Sequence, residues 1–413
     1  MRVLITTFGT RGDVQPYAAL ARALVAAGHE AHLAIPAGFE DLAGEAAVHP
    51  AGSEMLRVVQ QVLPELSGPR DALTTLRVMT RAMRGQMQET WDAAREARPD
   101  VVVYHPKSLA GPHIAQALRV PGVLSIPLPF YTPTRAFPMP FLGNAWFGAR
   151  GNRATYAFTR IATVMYGRMI NDFRARAGLS SRTGRFADPL RNPDGSAVHA
   201  LYPYSRHVVP VPADYPDTAH VTGYWFLDAP EWEMPERLAR FLDAGEPPVY
   251  LGFGSMGFGR GARERRDAIL EALSQTGLRG VIATGWGGIA GADASSDDVL
   301  VIDAAPHDRI FPSMRAVVHH GGAGSTAAGL RAGRPTLVVP FLGDQPFWGA
   351  RVHALGAGPE PIAPRRLASL LATRLEQLTT DPSYARRAEE LGAAIRAEDG
   401  LGGAVRVLED IAG

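Results

Sequence analysis

The sequence predicts an α/β protein of two doubly wound, Rossmann-like domains facing each other across a cleft. Three observations predict it. Strand-length apolar runs alternate with segments of helical periodicity, and this alternation runs twice along the chain. A Pro- and aromatic-rich segment with few periodic elements, Val208–Pro248, separates the two runs. The turns after Phe8, Phe253, Thr284, Ile302, Val318 and Val339 are rich in Gly, Pro or polar residues, and open parallel sheets bind their ligands at those strand ends.

In the first half, Val3–Phe8 reads as a strand and Gly9-Thr10-Arg11-Gly12-Asp13 as a polar turn. Tyr17, Leu20, Ala21 and Leu24 then recur at helical spacing up to Gly28, a residue suited to end a helix. Strands follow at Ala31–Ile35, Val101–Tyr104 and Val123–Ile126, with helices around Met83–Ala97 and Gly111–Leu118. Pro127–Trp146 has no clean period and reads as a long functional loop, followed by a helical stretch over Arg153–Arg176. In the second half the strands are Val249–Phe253, Gly280–Thr284, Val299–Ile302, Ala316–Val318 and Thr336–Val339, with helices at Glu264–Gln275 and from Thr326 to Ala332. The expected division is therefore 1–207, a linker region 208–248, 249–385, and C-terminal helices over 386–413 that pack back toward the first domain.

The chain has 413 residues, 46% hydrophobic and 20% charged, as globular proteins do. A net charge of +1 gives no reason to expect nucleic acid as a partner. Lys107 is the only lysine among 42 basic residues. Without Cys, disulfides and thiolate metal sites are excluded. No apolar run has the length of a spanning helix, and Met1-Arg2-Val3-Leu4-Ile5 leads straight into a strand without a signal-peptide core, so a cytoplasmic location is expected. Arg153, Arg160 and Arg168 interleave with Tyr156, Ile161 and Met165, a pattern of peripheral membrane contact or of an ordinary amphipathic surface helix.

The most informative stretch is His319-His320-Gly321-Gly322-Ala323-Gly324-Ser325-Thr326, between a strand and a helix start. Unpaired N–H groups and the helix dipole make such a turn an anion cradle, and glycines let its backbone come close. Side chains alternate along a strand, so at most one of His319 and His320 touches a ligand. Asp344 and Gln345 follow the next strand and can face the same crevice. A diphosphate beside groups that grip a sugar describes a nucleotide-sugar site. Gly322-Ala323-Gly324-Ser325-Thr326-Ala327 also fits the G-x-G-x-x-A dinucleotide fingerprint, although Asp344 lies four residues past Pro340, where that strand ends.

Asp13 is either a general base aimed into the cleft or a helix cap. Ser255 and its neighbours can hold a phosphate oxygen or form an ordinary turn. Trp286 and His307 can stack on or bond a nucleobase, or pack inside. Phe130, Tyr131, Phe137, Phe141 and Trp146, with Met55, Met79 and Met83, can line a pocket for an apolar acceptor, with core packing as the alternative for each. No His and carboxylate cluster stands at metal spacing.

With these residues the chain resembles the NDP-sugar glycosyltransferases of the GT-B fold, family 1 type, and among them the bacterial and fungal sterol and antibiotic enzymes. The resemblance is carried in order by Gly9–Pro16, Gly252-Phe253-Gly254-Ser255-Met256, Pro306–Pro312 and His319–Trp348. It implies an N-terminal acceptor domain, a C-terminal donor domain, inversion at the anomeric carbon and no metal or other cofactor. Asp13 matches the catalytic base. Arg11 and Gly12 fall to the donor side, Ser255 to a phosphate contact, and Asp344 with Gln345 to the donor-sugar hydroxyls. His319 matches the histidine heading the donor signature of plant relatives, and His320 shifts that register by one. Ala304 stands where those relatives have a base-stacking tryptophan, which leaves uridine against thymidine open.

The expected activity is transfer of a hexose from an NDP-sugar such as UDP-glucose to a hydroxyl of a sterol, polyketide or flavonoid. The alternatives are a nucleotide-dependent oxidoreductase and a non-catalytic nucleotide-binding or activator protein. The expected partners are the donor and an apolar small molecule, with no nucleic acid and no integral membrane association.

Overall fold

The computed structural model describes residues 1–58, 72–143, 145–180, 183–229, 231–254, 261–285, 289 and 295–413. The first domain runs β1 (Arg2–Thr6), α1 (Arg11–Ala26), β2 (Glu30–Ile35), β3 (Ala47–Pro50), α2 (Ser53–Arg57), α3 (Ala72–Ala97), β4 (Val101–Tyr104), α4 (Gly111–Leu118), β5 (Gly122–Ser125), α5 (Gly148–Thr155), α6 (Ile161–Arg176), β6 (His199–Tyr202) and β7 (Ala219–Val221). The second runs α7 (Glu236–Asp243), β8 (Val249–Gly252), α8 (Ala262–Thr276), β9 (Gly280–Ala283), β10 (Val299–Ile302), α9 (His307–Ile310), β11 (Ala316–His319), α10 (Ala323–Arg331), β12 (Thr336–Val338), α11 (Gln345–Ala354), α12 (Leu367–Thr380) and α13 (Pro382–Arg396). The last element is α14 (Gly400–Ala412).

Two parallel sheets result, ordered β3-β2-β1-β4-β5-β6-β7 and β10-β9-β8-β11-β12. These are the two doubly wound domains that the alternation predicts. Both faces of each sheet are covered, so the central strands are apolar on both sides, as Val101–Val103 and Ala316–Val318 are.

Helix α1 shows why the local sequence folds as it does. Val14, Tyr17, Leu20, Ala21 and Leu24 recur at helical spacing and are buried on one face against Val3 and Ile5 of β1. Each fully buried leucine contributes about 1.5–3 kcal/mol relative to exposure. The chain leaves the helix at Gly28, whose φ of +84° suits the left-handed turn there.

Several expected boundaries differ. Val208–Pro248 is not linker throughout: β7 extends the first sheet along β6, and α7 buries Leu238 and Phe241 in the second domain. Strands β3, β6 and β7 have three or four residues each, too short to show a period. The stretch Arg153–Arg176 divides into the end of α5, a 3-10 segment Tyr156–Arg160 and α6. Of the C-terminal helices, α13 packs on α10, and only α14 returns to the first domain, with Ala404, Val405 and Leu408 in the α1 core. A further apolar cluster is continuous between domains, joining Tyr104, Phe130 and Tyr202 to Phe347, Trp348 and Leu391. Among the described residues no helix is long and apolar enough to cross a membrane.

Candidate functional site

The strand orders place the site. Neighbours β1 and β4 wind in opposite directions from their junction, as do β8 and β11. A crevice opens at the carboxyl ends of such strand pairs. The loops after β1 and β4 form one wall, and the turns after β8 and β11 form the other.

On the first wall, Thr10 precedes α1 and Asp13 sits in its first turn. The Thr10 N–H donates to Asp13 Oδ2 at 2.9 Å, and Asp13 Oδ1 pairs with Lys107 Nζ from the loop after β4. Asp13 therefore takes part in capping from the third helical position while its side chain stays 23% exposed. Gly9 makes the approach possible: its φ is +135°, and a Cβ there would stand 2.2 Å from Asp13 Oδ2. Burial works to raise the Asp13 carboxyl; the Lys107 ammonium, His105 and the Thr10 N–H outweigh it and hold the acid below its usual value. His105 is buried, and burial pushes it down to about 3, so it is neutral. The Lys107 N–H donates to His105 Nδ1 at 3.0 Å, which leaves the ring proton on Nε2. Lys107 and His105 are the functional candidates that sequence reasoning missed. Arg11 and Gly12 are exposed beside Asp13, and Arg11 acts electrostatically on His307 across the crevice.

On the second wall, α10 starts after Gly322, and Thr326 N–H makes the first full helical bond to Gly322 O at 2.9 Å. The N–H groups of Ala323, Gly324 and Ser325 lie in the first turn ahead of it, where the dipole is positive. Gly324 faces open space. Gly321 has φ +88°, with Val338 Cγ1 and Gln345 O too close to admit a side chain. His320 lies against Gly254 and Gly322 and is held neutral by burial, at about 4. His307 stacks on Phe311 at 4.2 Å and is likewise pushed down to about 4, by burial and then by His320 and Arg11.

Two side chains of the histidine turn are enclosed. His319 is 1% exposed, and its Nδ1 accepts the Gly321 N–H at 2.9 Å, so it shapes the turn from beneath. Thr326 is fully buried, and its N–H is spent within the helix. Neither side chain is open to a ligand in this conformation. Gln345 is also buried, with Oε1 accepting the N–H groups of Phe341 (2.7 Å) and Leu342 (3.1 Å); it holds the loop that carries Asp344. Asp344 stands at the N-cap position of α11 without a side-chain capping bond, and accepts from Trp348 Nε1 at 2.8 Å. Burial holds its carboxyl above the usual value against that bond, and it feels both Lys107 and Asp13. Ser255 and Trp286 lie outside the described residues.

The acceptor-side aromatics divide. Phe130 is buried and meets Tyr131 and Phe141, at 5.3 and 4.7 Å between ring centroids. Phe137 reaches Phe347 of α11 at 6.1 Å. Met55 and Met83 are buried in the same core, with Met79 partly buried against it. Trp146 is 66% exposed.

The crossover between domains is pinned on both sides. Gln15 Nε2 donates to Leu227 O at 3.1 Å, Asp228 pairs with Arg331, and Ala229 N–H donates to Asp308 Oδ2 at 3.0 Å. Arg351 also donates to Val208 O at 2.8 Å. The two walls also meet electrostatically across the crevice: Lys107 and Asp13 act on Asp344, and Arg11 acts on His307.

Residues 3–138 match the family model described as "Glycosyltransferase family 28 N-terminal domain", and residues 281–402 match "Erythromycin biosynthesis protein CIII-like, C-terminal domain". The sterol 3-beta-glucosyltransferases UGT80A2 and UGT80B1 of Arabidopsis thaliana are 34% and 33% identical, each over 98% of this chain. The chain spans 65% and 67% of those proteins, about two thirds of their length. The glycosyltransferase SnogD from Streptomyces nogalater superposes with a TM-score of 0.70 over the whole of both chains, at 20% identity, and shows the fold. With the full-length identity, the chain belongs to the family 1 glycosyltransferases of the GT-B fold.

Proposed function

We propose that this chain is an inverting glycosyltransferase that moves a hexose from a nucleoside diphosphate sugar, UDP-glucose or one like it, to a hydroxyl of an apolar acceptor such as a sterol or polyketide. The observation that carries the reading is the partly exposed Asp13 carboxylate on one wall of the crevice, with Asp344 and the first turn of α10 on the other. The sterol enzymes among its relatives support the acceptor class.

In this reading the acceptor oxygen attacks the anomeric carbon while the bond from that carbon to the β-phosphate oxygen breaks. The acceptor proton passes to Asp13 as the new C–O bond forms, and the nucleoside diphosphate leaves with its electron pair. The N–H groups of Ala323, Gly324 and Ser325, with the neutral His320 ring, offset the leaving charge. The reaction then needs no metal, and Asp344 is left to grip the sugar. Aromatics around Phe130, Tyr131, Phe137 and Phe141 face the acceptor. Closure about Leu227–Ala229 excludes the water that would hydrolyse the donor.

Turnover of a labelled donor panel with a promiscuous phenolic acceptor tests the activity. Calorimetric titration with UDP and with NADPH separates it from a dinucleotide-dependent oxidoreductase: the proposal requires UDP to bind and NADPH not to. Donor binding without turnover of any acceptor would favour a non-catalytic role.

A further inference from the structure

From Val101 to Asn171 the chain contains no Asp or Glu, while it carries Lys107 and six arginines. For a protein of net charge +1 this is a strong local bias. The same segment holds most of the large apolar side chains exposed among the described residues. Phe158, Ile161, Met165 and Arg168 are all exposed and follow one another at spacings of three, four and three residues, so they share one outward face of the 3-10 segment and α6. Met165 is 62% exposed at the centre of that stripe. Phe141 meets Phe158 at 6.5 Å, which joins the stripe to the loop bearing Leu142, Trp146 and Phe147, all exposed.

This is an amphipathic face turned the wrong way for a free surface: its apolar side looks outward. The charge at its margin says what covers it. Arg153 and Arg160 are paired with Asp214 and Asp188, but Arg150 and Arg168 form no ion pair among the described residues. A second copy docked face to face would bring like charges together. The centre of the stripe, Ile161 and Met165, is aliphatic and offers little for stacking nucleobases. Aromatic and aliphatic side chains flanked by arginines suit the interface of a bilayer carrying anionic headgroups.

We infer that the face formed by Phe147, Phe158, Ile161, Met165, Arg150 and Arg168 docks the enzyme on an anionic lipid surface. The face is continuous with the cleft: the turn Pro140–Leu142 packs on α11, and Gly143 lies against Pro346. The docking stands on surface chemistry alone. Transfer of a lipid-soluble acceptor from the bilayer into the cleft follows when the function proposed above also holds.

The test is co-sedimentation of the full chain with vesicles of phosphatidylcholine alone and of phosphatidylcholine with phosphatidylserine, at low and high salt. The chain pellets with the phosphatidylserine vesicles, less so at high salt. Ile161→Ser with Met165→Ser weakens partitioning about tenfold or more through lost apolar insertion. Arg150→Glu with Arg168→Glu weakens it about 25-fold or more, about fivefold for each cation lost. Both double variants keep the wild-type melting temperature and turnover of a water-soluble acceptor. The inference is overturned if wild-type chain does not pellet above the vesicle-free control, or if both double variants pellet like wild type. It is also overturned if light scattering finds a dimer that Ile161→Ser with Met165→Ser abolishes, which assigns the face to a second copy. Loss of turnover with vesicle binding intact counts against the sugar-transfer reading and leaves the docking surface standing.

Discussion

Lys107, the chain's only lysine, pairs with Asp13 Oδ1 while the Thr10 N–H holds Asp13 Oδ2 at 2.9 Å. Both oxygens of the proposed base are thus engaged, and an acceptor hydroxyl must take the place of one partner. Asp13's carboxyl is held low, so it is ionised at neutral pH, and the stability it contributes is lost as pH falls through the folded-state value. Lys107→Met removes a lowering influence, so the Asp13 pKa rises. The acid limb of the kcat/KM profile then moves to higher pH, whereas Lys107→Arg keeps it near its wild-type position. An unmoved limb in Lys107→Met would remove Lys107 from the control of the base.

Asp13→Asn keeps an acceptor for the Thr10 N–H and leaves the helix start intact, but cannot take a proton. The expected fall in kcat is about 10²–10⁴-fold, the usual contribution of a general base. UDP affinity stays at the wild-type level, because the donor cradle lies on the other wall. Single-turnover kinetics alongside UDP calorimetry check both halves.

Gly321 and Gly324 separate folding from binding in one turn. At Gly321, φ is +88° and an added Cβ would stand 2.6 Å from Val338 Cγ1. Gly321→Ala costs about 1–3 kcal/mol of backbone strain alone, seen as a lowered melting temperature. At Gly324 nothing lies within 4 Å of an added Cβ, and the position is helical. Gly324→Ala keeps the melting temperature but weakens UDP about tenfold, 1.4 kcal/mol, by filling space in front of the cradle.

Trp348→Phe removes the 2.8 Å hydrogen bond from the fully buried Trp348 ring to Oδ2 of the partly exposed Asp344. That bond lowers the Asp344 pKa against burial, so its loss raises the pKa further. Stability falls by about 0.5–1.5 kcal/mol for the lost hydrogen bond. The KM for the sugar nucleotide rises while affinity for UDP alone is unchanged, because Asp344 is assigned to the sugar. An equal change in both would place Asp344 elsewhere.

Much of this was legible in the sequence. The strands at Val101–Tyr104 and Val299–Ile302 and the helix at Gly111–Leu118 appear within the bounds their apolar runs give. What failed was information that periodicity does not hold. Strand β7 has three residues and forms only by adding to an existing edge, so a Pro-rich stretch concealed it. Lys107 looked like a compositional oddity because nothing local places it near residue 13; the β1–β4 adjacency does. The double histidine announced a crevice, and alternation separated the two rings, but only the packing shows that His319 lies beneath the turn. Gln345 and Thr326 have side chains that suit a sugar or a phosphate; periodicity does not show that both are buried, with Gln345 Oε1 holding the Phe341 N–H and the Thr326 hydroxyl left without a partner among the described residues.

A crystal structure with uridine diphosphate bound measures the central claim most directly. The account predicts phosphoryl oxygens within about 3 Å of the N–H groups of Ala323, Gly324 and Ser325, with the cleft between them and Asp13 left for sugar and acceptor. A diphosphate bound away from the first turn of α10, or no nucleotide at saturating concentration, would contradict it.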